Sequence, residues 1–303
     1  MVIQGYPDPG EGLRLHLNEN TGGCSPRVLE AIRGLRETDI STYPSYRSLV
    51  VACAALFGVD PDWVLLTNGL DEGILMAAVG HIAMTRAHDA ETIVPLPAFD
   101  PYPNSSAAVG ATIVRVAPDA DLAFPTERVL GAISPRTKMI FLNTPNNPTG
   151  KVFTREELSQ IAELCQKWDV LAITDEIYEH IIYDGAEHVS IVTLDGMRER
   201  TIVINGMSKT YSVTGWRVGY IISPPEITSS IRKMHDFMTV GAPAPLQEAG
   251  VVAMQLPDSY YKELASHYCA RRDRLLGVLE RVGLNPIVPR GAYYIMCDIG
   301  SWG

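Results

Sequence analysis

The chain has 303 residues, of which 46% are hydrophobic and 20% are charged. This composition is typical of a globular protein that buries a sizeable core. The net charge of −10 leaves no basic excess to neutralise phosphates, which argues against nucleic-acid binding. Polar residues interrupt the apolar stretches too often for a membrane span, and the N-terminus lacks the pattern of a signal peptide. We therefore predict a cytoplasmic protein with neither nucleic-acid nor membrane partners.

The cysteines and histidines give no sign of a metal centre. The five cysteines are scattered and form no Cys-x-x-Cys pair, so we expect reduced thiols. The seven histidines show no ligand-like spacing, and His180 and His188 are isolated in the sequence. We predict no metal site.

Short apolar runs alternate with helical patterns from about residue 60 to about residue 235, which predicts βαβ units and a largely parallel sheet. The predicted strands are Val64–Thr67, Thr92–Pro95, Thr112–Val116, Met139–Asn143, Val170–Thr174, Thr201–Asn205 and Val218–Ile222. Between them, helices are predicted at Asp71–Ala83, Thr126–Ala132 and Thr154–Lys167. The last helix opens on Thr154 with Glu157 three residues later, the pattern of a capping box.

Beyond the α/β core, a long amphipathic pattern runs from about Pro257 to Val282 and predicts a helix that leaves the core. A further strand is predicted at Ala292–Cys297. The chain shows no internal repeat.

Polar segments follow four of the predicted strands. They are Thr67–Asp71, Asn143–Gly150, Asp175–Tyr178 and Asn205–Lys209. An open α/β sheet binds its ligands outside the carboxyl ends of its strands, so we expect these segments to meet in one crevice.

Two of these motifs carry a resemblance to a known family. Gly206-Met207-Ser208-Lys209, followed by Gly215-Trp216-Arg217-Val218-Gly219, resembles the cofactor-lysine signature of class I and II aminotransferases. The segments Leu17–Asn20 and Gly69–Gly73 are most similar to the histidinol-phosphate aminotransferase branch.

The resemblance implies the pyridoxal phosphate (PLP) transferase fold of type I, an α/β fold whose mostly parallel sheet is sandwiched by helices. It implies an N-terminal arm and part of a small domain at residues 1–40, and a large PLP-binding domain at 41–253. Residues 254–303 are then the linking helix and the start of a smaller α/β domain, which we expect to be truncated. In the family, the arginine for the substrate carboxylate lies beyond such a point.

Three residues receive catalytic roles from the resemblance. Lys209 is expected to hold PLP as a Schiff base and to move the substrate proton, because one amine can act as tether and as acid or base. Asp175 is expected to keep the pyridine nitrogen protonated, and Tyr178 to donate to the phenolate oxygen. Alone, each residue also fits an ordinary role: a surface charge, a turn or helix-cap aspartate, and a tyrosine at the edge of the core.

Further residues are expected to hold the cofactor. Asn147 matches a second donor to the phenolate oxygen, although Asn-Pro is also a turn signal. Phe99 matches the aromatic residue that stacks on the ring, with Tyr102 as the competing candidate. The phosphate is assigned to Arg217 and to the backbone N–H groups of Gly69, Leu70 and Asp71, and Ser208 is expected to bind the cofactor as well.

Two positions remain open at the phosphate. Where many relatives have a phosphate-binding serine three residues before the lysine, this chain has Gly206. Tyr43 matches a tyrosine that relatives extend to the neighbouring subunit's phosphate, which implies a homodimer with shared active sites. A packing tyrosine in a loop is the other interpretation of Tyr43.

The sequence therefore predicts a PLP-dependent aminotransferase that moves an amino group between an amino acid and a 2-oxo acid. Histidinol phosphate or an aromatic amino acid is the expected donor class. The alternatives are a PLP-dependent decarboxylase or lyase on the same fold, and a catalytically silent PLP-binding protein.

Overall fold

The computed structural model describes residues 17–83, 89–119, 122 and 124–300. The first 16 residues of the predicted N-terminal arm and the last three of the predicted C-terminal segment lie outside this range. The helices within it are α1 (Pro26–Arg33), α2 (Glu37–Ser41), α3 (Arg47–Phe57), α4 (Leu70–Ala78), α5 (Pro101–Ala108), α6 (Thr126–Ala132), α7 (Arg155–Trp168), α8 (Pro225–Thr239), α9 (Ala244–Met254) and α10 (Asp258–Arg281). The strands are β1 (Val64–Thr67), β2 (Glu91–Pro95), β3 (Thr112–Val116), β4 (Thr137–Asn143), β5 (Leu171–Asp175), β6 (Thr201–Gly206), β7 (Gly219–Ile222), β8 (Pro286–Ile287) and β9 (Met296–Cys297).

Seven of the described strands form one sheet in the order β1-β7-β6-β5-β4-β2-β3. β7 runs antiparallel to both of its neighbours, β1 and β6, whereas the other paired strands are parallel. Parallel strands are usually joined by a helical crossover, whereas the link from β6 to β7 contains a 3₁₀ turn and no α-helix. The prediction of a mostly parallel sheet is confirmed.

Both faces of the sheet are covered by helices. On β6, Ile202 and Ile204 belong to a core cluster with residues of α4, while Val203 between them packs with residues of α3 and α9 on the other face. A third cluster joins α7 to β4 and β5. Strands buried on both faces read as continuous apolar runs, which is why the sequence pattern identified them. None of the described helices is both long and apolar enough to cross a membrane.

The helix predictions hold with local changes. The capping box of α7 is present: Glu157 N–H donates to Thr154 Oγ1 at 3.2 Å, and Thr154 N–H donates to the Glu157 carboxylate at 2.9 Å. The helix predicted at Asp71–Ala83 begins one residue earlier, and its α-helical part ends at Ala78. A π-helical segment, Val79–Ala83, continues it.

The strand predicted at Ala292–Cys297 is wrong. Only Met296–Cys297 is a strand, and it pairs with Pro286–Ile287. Ala292 has a φ of 55°, which is in the left-handed region and not in the extended one. Tyr293 and Tyr294, which follow it, place their rings edge-on against Tyr178. Packing of these tyrosines at the site takes the place of strand pairing.

Candidate active site

Three neighbouring parallel strands bring polar residues to one edge of the sheet. Asn143, the last residue of β4, pairs directly with Asp175, the last residue of β5. Asp175 pairs in turn with Ile204 of β6, and the chain reaches Lys209 five residues later. The meeting of strand ends expected from the sequence is therefore observed.

The antiparallel strand β7 adds the second half of the site. Thr67 at the end of β1 pairs with Gly219 at the start of β7, so the residues after Thr67 lie beside those before Gly219. Arg217 Nη2 is 2.9 Å from Asp71 Oδ2. Gly69 has a φ of 81°, and a Cβ there would lie 2.5 Å from Arg217 Nη2. Only glycine allows this backbone conformation and this close approach of the guanidinium.

All of the predicted site residues except Gly69 and Tyr43 line one pocket. Its lining consists of Asn18, Leu70, Asp71, Phe99, Tyr102, Asn143, Asn147, Asp175, Ile177, Tyr178, Ser208, Lys209 and Arg217. Gly69 lies directly against the Arg217 side chain. Tyr43 lies in a separate hollow with Ile40 and Val240, and it is 84% exposed.

Asp175 is the buried carboxyl group of the pocket, with 3% of its surface exposed. Its Oδ2 accepts a hydrogen bond of 2.8 Å from the Tyr102 hydroxyl, and its Oδ1 accepts one of 3.1 Å from Ile177 N–H. Burial raises the pKa of Asp175 to about 6, and the two donors oppose that rise. Tyr102 stacks on Phe141 with ring centroids 5.0 Å apart, so its hydroxyl is held in place.

Lys209 is half-buried, and its Nζ donates a 2.7 Å hydrogen bond to the backbone oxygen of Asn18. Burial, together with the nearby positive charge of Arg217, lowers the pKa of Lys209 to about 8. A substantial fraction of this amine is therefore neutral near physiological pH, which is the form that attacks a carbonyl carbon.

Tyrosines cluster around Tyr178, the one among them that lines the pocket. Tyr178 Oη lies 2.5 Å from Tyr294 Oη and 3.4 Å from Tyr293 Oη. The Tyr293 ring centroid is 6.0 Å from Lys209 Nζ. Burial raises the pKa of Tyr178, so its hydroxyl keeps its proton and can donate it in a hydrogen bond.

Asn143 and Asn147 are linked to each other and to β5. The Asn143 side-chain amide donates to the backbone oxygen of Asp175 at 2.9 Å. Its Oδ1 accepts a 2.6 Å hydrogen bond from Asn147 N–H. Asn143 thus fixes the turn that carries Asn147. Phe99, on the same wall, meets the Tyr102 ring edge-on with centroids 5.7 Å apart.

Sequence reasoning did not assign a role to Asn18 or Asn143, and it offered Tyr102 only as a stacking residue. Asn18 accepts from Lys209 and, at 3.3 Å, from the Tyr293 hydroxyl. Asn143 could have been found, since it ends a predicted strand inside a motif already singled out. Asn18 lies in the Leu17–Asn20 segment, but that segment does not indicate a contact with Lys209, which is 191 residues away.

The structure gives a steric reason for Gly206, where relatives have a phosphate-binding serine. A Cβ at this position would lie 2.6 Å from Leu70 Cδ1 and 3.0 Å from the Gly219 Cα atom. A serine there would have to displace the side chain of Leu70, one of the three residues whose backbone N–H groups are assigned to the phosphate. The structure therefore leaves no space for a phosphate-binding serine at position 206.

Comparisons with known proteins agree with this geometry. A family model described as "Aminotransferase class I and II" matches residues 11–301. The chain belongs to this family. Class I and II aminotransferases depend on PLP, so its cofactor is PLP. The predicted PLP fold type I is confirmed by solved structures of family members.

Two solved structures illustrate the similarity to the family. An aspartate aminotransferase of Thermus thermophilus, a double mutant, superposes with a TM-score of 0.88 at 30% identity, over 95% of this chain and 77% of the other. The N-succinyldiaminopimelate aminotransferase of Mycobacterium tuberculosis has a TM-score of 0.86 at 32% identity, over 91% of this chain and 74% of the other.

Among curated relatives, the rat kynurenine–oxoglutarate transaminase 3 is 34% identical over 84% of this chain and 61% of its own length. The Dictyostelium discoideum kynurenine–oxoglutarate transaminase is 44% identical over 58% of this chain and 41% of its own length. The chain thus spans less than two thirds of these two family members.

The residues of the pocket fit PLP by the chemistry of their donors. Lys209 would offer a partly neutral amine to the aldehyde, and Asp175 would offer a buried carboxyl group to the pyridine nitrogen. Arg217 and the first turn of α4 would offer positive charge and N–H donors to a phosphate. Because Gly69 has no Cβ, the Arg217 guanidinium lies close to the backbone of the turn, and both can contact the same anion.

A separate group of titratable side chains lies next to Asp175 in the sequence but outside this pocket. His188, which seemed isolated, meets Glu176 with 3.0 Å between Nε2 and Oε2. One ligand atom each from Glu176, Glu179 and His188 lies within 4.8 Å of the others. Glu176 also accepts from Ser190 at 2.6 Å, and Glu179 from Asn205 at 2.6 Å. Each of the three side chains has a hydrogen-bond partner in the protein, whereas the buried His188 Nδ1 has none among the described residues.

Proposed function

We propose that this chain acts as a PLP-dependent aminotransferase. The reaction moves the amino group of a donor amino acid to an acceptor 2-oxo acid. The donor becomes a 2-oxo acid, and the acceptor becomes an amino acid. The observation that carries the proposal is one pocket in which a lysine with a lowered pKa, a buried carboxyl group and an arginine beside the first turn of α4 converge.

When bound, PLP supplies an electron-poor ring that stabilises negative charge at the substrate Cα. Lys209 would hold the cofactor through its amine and would carry the proton away from the substrate Cα. The lowered pKa of Lys209, about 8, suits both tasks because the amine can lose and regain a proton near neutral pH.

Asp175 is proposed to bind the protonated pyridine nitrogen. Its pKa of about 6 leaves it mostly ionised at neutral pH, and a cation placed against it favours the charged form further. Tyr102 and Ile177 N–H hold the carboxylate oxygens in one orientation. Ionisation is thereby maintained despite burial.

Arg217, Ser208 and the N–H groups of Gly69, Leu70 and Asp71 are proposed to bind the phosphate. Arg217 is held by Asp71 through an ion pair whose side chains are 44% and 60% exposed. Exposed pairs of this kind are worth little, typically below about 1 kcal/mol. Arg217 can therefore exchange this partner for a phosphate at small cost.

Tyr178 and Asn147 are proposed to donate hydrogen bonds to the phenolate oxygen, and Phe99 to pack against the ring. Tyr178 fits this role because its proton is retained through burial. Phe99 fits stacking better than Tyr102, because the Tyr102 ring is already stacked on Phe141 and its hydroxyl is bound to Asp175.

A homodimer in the cytoplasm, with Tyr43 extended to the neighbouring subunit's phosphate, is also proposed. Tyr43 lies beside Ile40 and Val240, which are 63% and 52% exposed, so an apolar face surrounds it. Apolar faces of this kind are typical of subunit contacts. The division into an arm at 1–40, a PLP-binding domain at 41–253 and a smaller domain from 254 is retained as part of the proposal.

For substrates, the relatives named kynurenine–oxoglutarate transaminases favour an aromatic amino acid as donor and 2-oxoglutarate as acceptor. Histidinol phosphate is the other donor considered. Purified protein should be incubated with PLP, 2-oxoglutarate and a panel of amino acids, with glutamate and CO2 measured. We expect the wild type to form glutamate without releasing CO2, and we expect Lys209→Ala to form no glutamate. Release of CO2 would indicate a decarboxylase, and no product from any donor would contradict the proposed activity.

A further inference from the structure

A buried pair of side chains lies behind the turn proposed to bind the phosphate. His235 of α8 is 2% exposed, and its Nε2 is 3.0 Å from Glu72 Oε2. Glu72 belongs to the first turn of α4, and its carboxylate accepts a 2.5 Å hydrogen bond from Asn68 N–H. The Asn68 side-chain amide lies 3.2 Å from each carboxylate oxygen. Neither Glu72 nor His235 lines the pocket.

These contacts fix the backbone that presents the phosphate donors. Asn68 immediately precedes Gly69, and its side chain donates a 2.8 Å hydrogen bond to Thr239 Oγ1 at the end of α8. On the other side, Thr67 Oγ1 donates to the backbone oxygen of Gly69 at 2.9 Å. The turn is therefore connected both to its own helix and to α8.

Glu72 is held as a carboxylate within this network. Burial opposes its ionisation, yet hydrogen bonds from His235 and from Asn68 outweigh burial and lower the pKa of Glu72. An ionised acceptor makes stronger hydrogen bonds than a neutral one, so the restraint on Asn68 N–H is strong.

We propose that Glu72 and His235 are positioning residues that preorganise the Asn68–Asp71 turn for the phosphate of PLP. The inference rests on the proposed function, because it assigns the phosphate to this turn. A preformed set of N–H donors binds an anion without first paying to order the backbone. Loss of the donor on His235 leaves the Glu72 carboxylate buried with one partner fewer and relaxes the turn.

The test compares PLP with pyridoxal, which lacks the phosphate, by titrating the apoprotein and following the absorbance of bound cofactor. We expect His235→Leu to raise the Kd for PLP about tenfold, the scale of one lost hydrogen bond to a buried charge. The Kd for pyridoxal should stay unchanged, because the turn acts on the phosphate alone. A merely structural role would weaken both ligands or neither.

Two variants serve as matched references. His235→Gln keeps a donor for Glu72, so its Kd for PLP should stay within about threefold of the wild-type value. Ser230→Ala alters an exposed hydroxyl on the same helix that bonds only the backbone oxygen of Glu226 among the described residues, and it should not change the Kd.

Equal Kd values of wild type and His235→Leu for PLP, or equal weakening for PLP and pyridoxal, would overturn the positioning role. If His235→Leu does not fold, Glu72→Gln decides, since it keeps the shape but removes the charge. Glu72→Gln should raise the Kd for PLP about threefold or more, and an unchanged Kd would refute the inference. A wild type that binds no PLP would overturn the proposed function and this inference together.

Discussion

The hydrogen bond from Tyr102 to Asp175 offers a quantitative test of the site. Tyr102→Phe removes one hydroxyl and leaves the ring on Phe141, so the change is confined to the donor at 2.8 Å from Asp175 Oδ2. Asp175 then keeps Ile177 N–H as its remaining donor of those that affect its pKa. We expect the pKa of Asp175 to rise further above about 6.

The magnitude depends on the protonation state. With Asp175 protonated, near pH 5, a neutral hydrogen bond is lost, which costs about 1 kcal/mol of unfolding free energy. With Asp175 ionised, near pH 8, a bond to a charged group is lost, which costs about 2–3 kcal/mol. The difference of about 1–2 kcal/mol corresponds to a rise in the pKa by about one unit.

The sign follows from linkage. The folded pKa of Asp175 lies above the value of an unfolded aspartate, so the folded state binds the proton more tightly. This contribution to stability is full below about pH 4 and is lost as the pH rises through the folded pKa. In the variant, the loss should extend to a higher pH than in the wild type.

Urea denaturation of the apoprotein at several pH values between about 5 and 8 measures this directly. The destabilisation of Tyr102→Phe should grow with pH across this window. A destabilisation that is the same at pH 5 and pH 8, or that shrinks with rising pH, would refute the hydrogen bond as the group that stabilises ionised Asp175.

Further predictions concern the phosphate turn and the lysine. Arg217→Ala should raise the Kd for PLP at least about tenfold but leave that for pyridoxal nearly unchanged, since the guanidinium serves the phosphate; equal losses for both ligands would contradict that role. Gly69→Ala should destabilise the apoprotein by about 1–3 kcal/mol in urea denaturation, through its positive φ and the contact with Arg217. Gly131→Ala in α6, where a Cβ meets nothing within 4 Å, should be neutral or stabilising. Modification of Lys209 by an amine reagent in the apoprotein should titrate with a midpoint near pH 8, and Asp175→Asn should lower that midpoint, because the Asp175 charge raises the lysine pKa. A midpoint near pH 10.5 would argue against the lowered pKa.

Local patterns predicted the sheet and the core of the site. The strands of the large sheet are buried on both faces, so their apolar runs stand out, and the motif around Lys209 and Arg217 has fixed spacing. Asp175 and Asn143 could be predicted to lie at the same edge of the sheet, because each is at the carboxyl end of a predicted strand and parallel strands end at one edge.

Contacts between segments that are distant in the sequence could not be predicted from it. His235 lies 163 residues from Glu72 and belongs to no motif, and the Gly69–Gly73 segment that contains Glu72 does not indicate this partner. The sequence indicated only that the Tyr102 ring could stack on the cofactor. In the structure, the Tyr102 hydroxyl donates a hydrogen bond to Asp175. The apolar run at Ala292–Cys297 suggested a strand, but packing of Tyr293 and Tyr294 on Tyr178 overrides β propensity there.

The central claim is that Lys209 carries the cofactor. The protein should be incubated with PLP, reduced with borohydride, digested and analysed by mass spectrometry, because reduction converts the hydrolysable carbon–nitrogen double bond between lysine and cofactor into a stable single bond. We expect the mass of reduced PLP on the peptide that contains Lys209, and no such label in Lys209→Ala. Label on a different lysine, or no label on the wild type, would contradict the account.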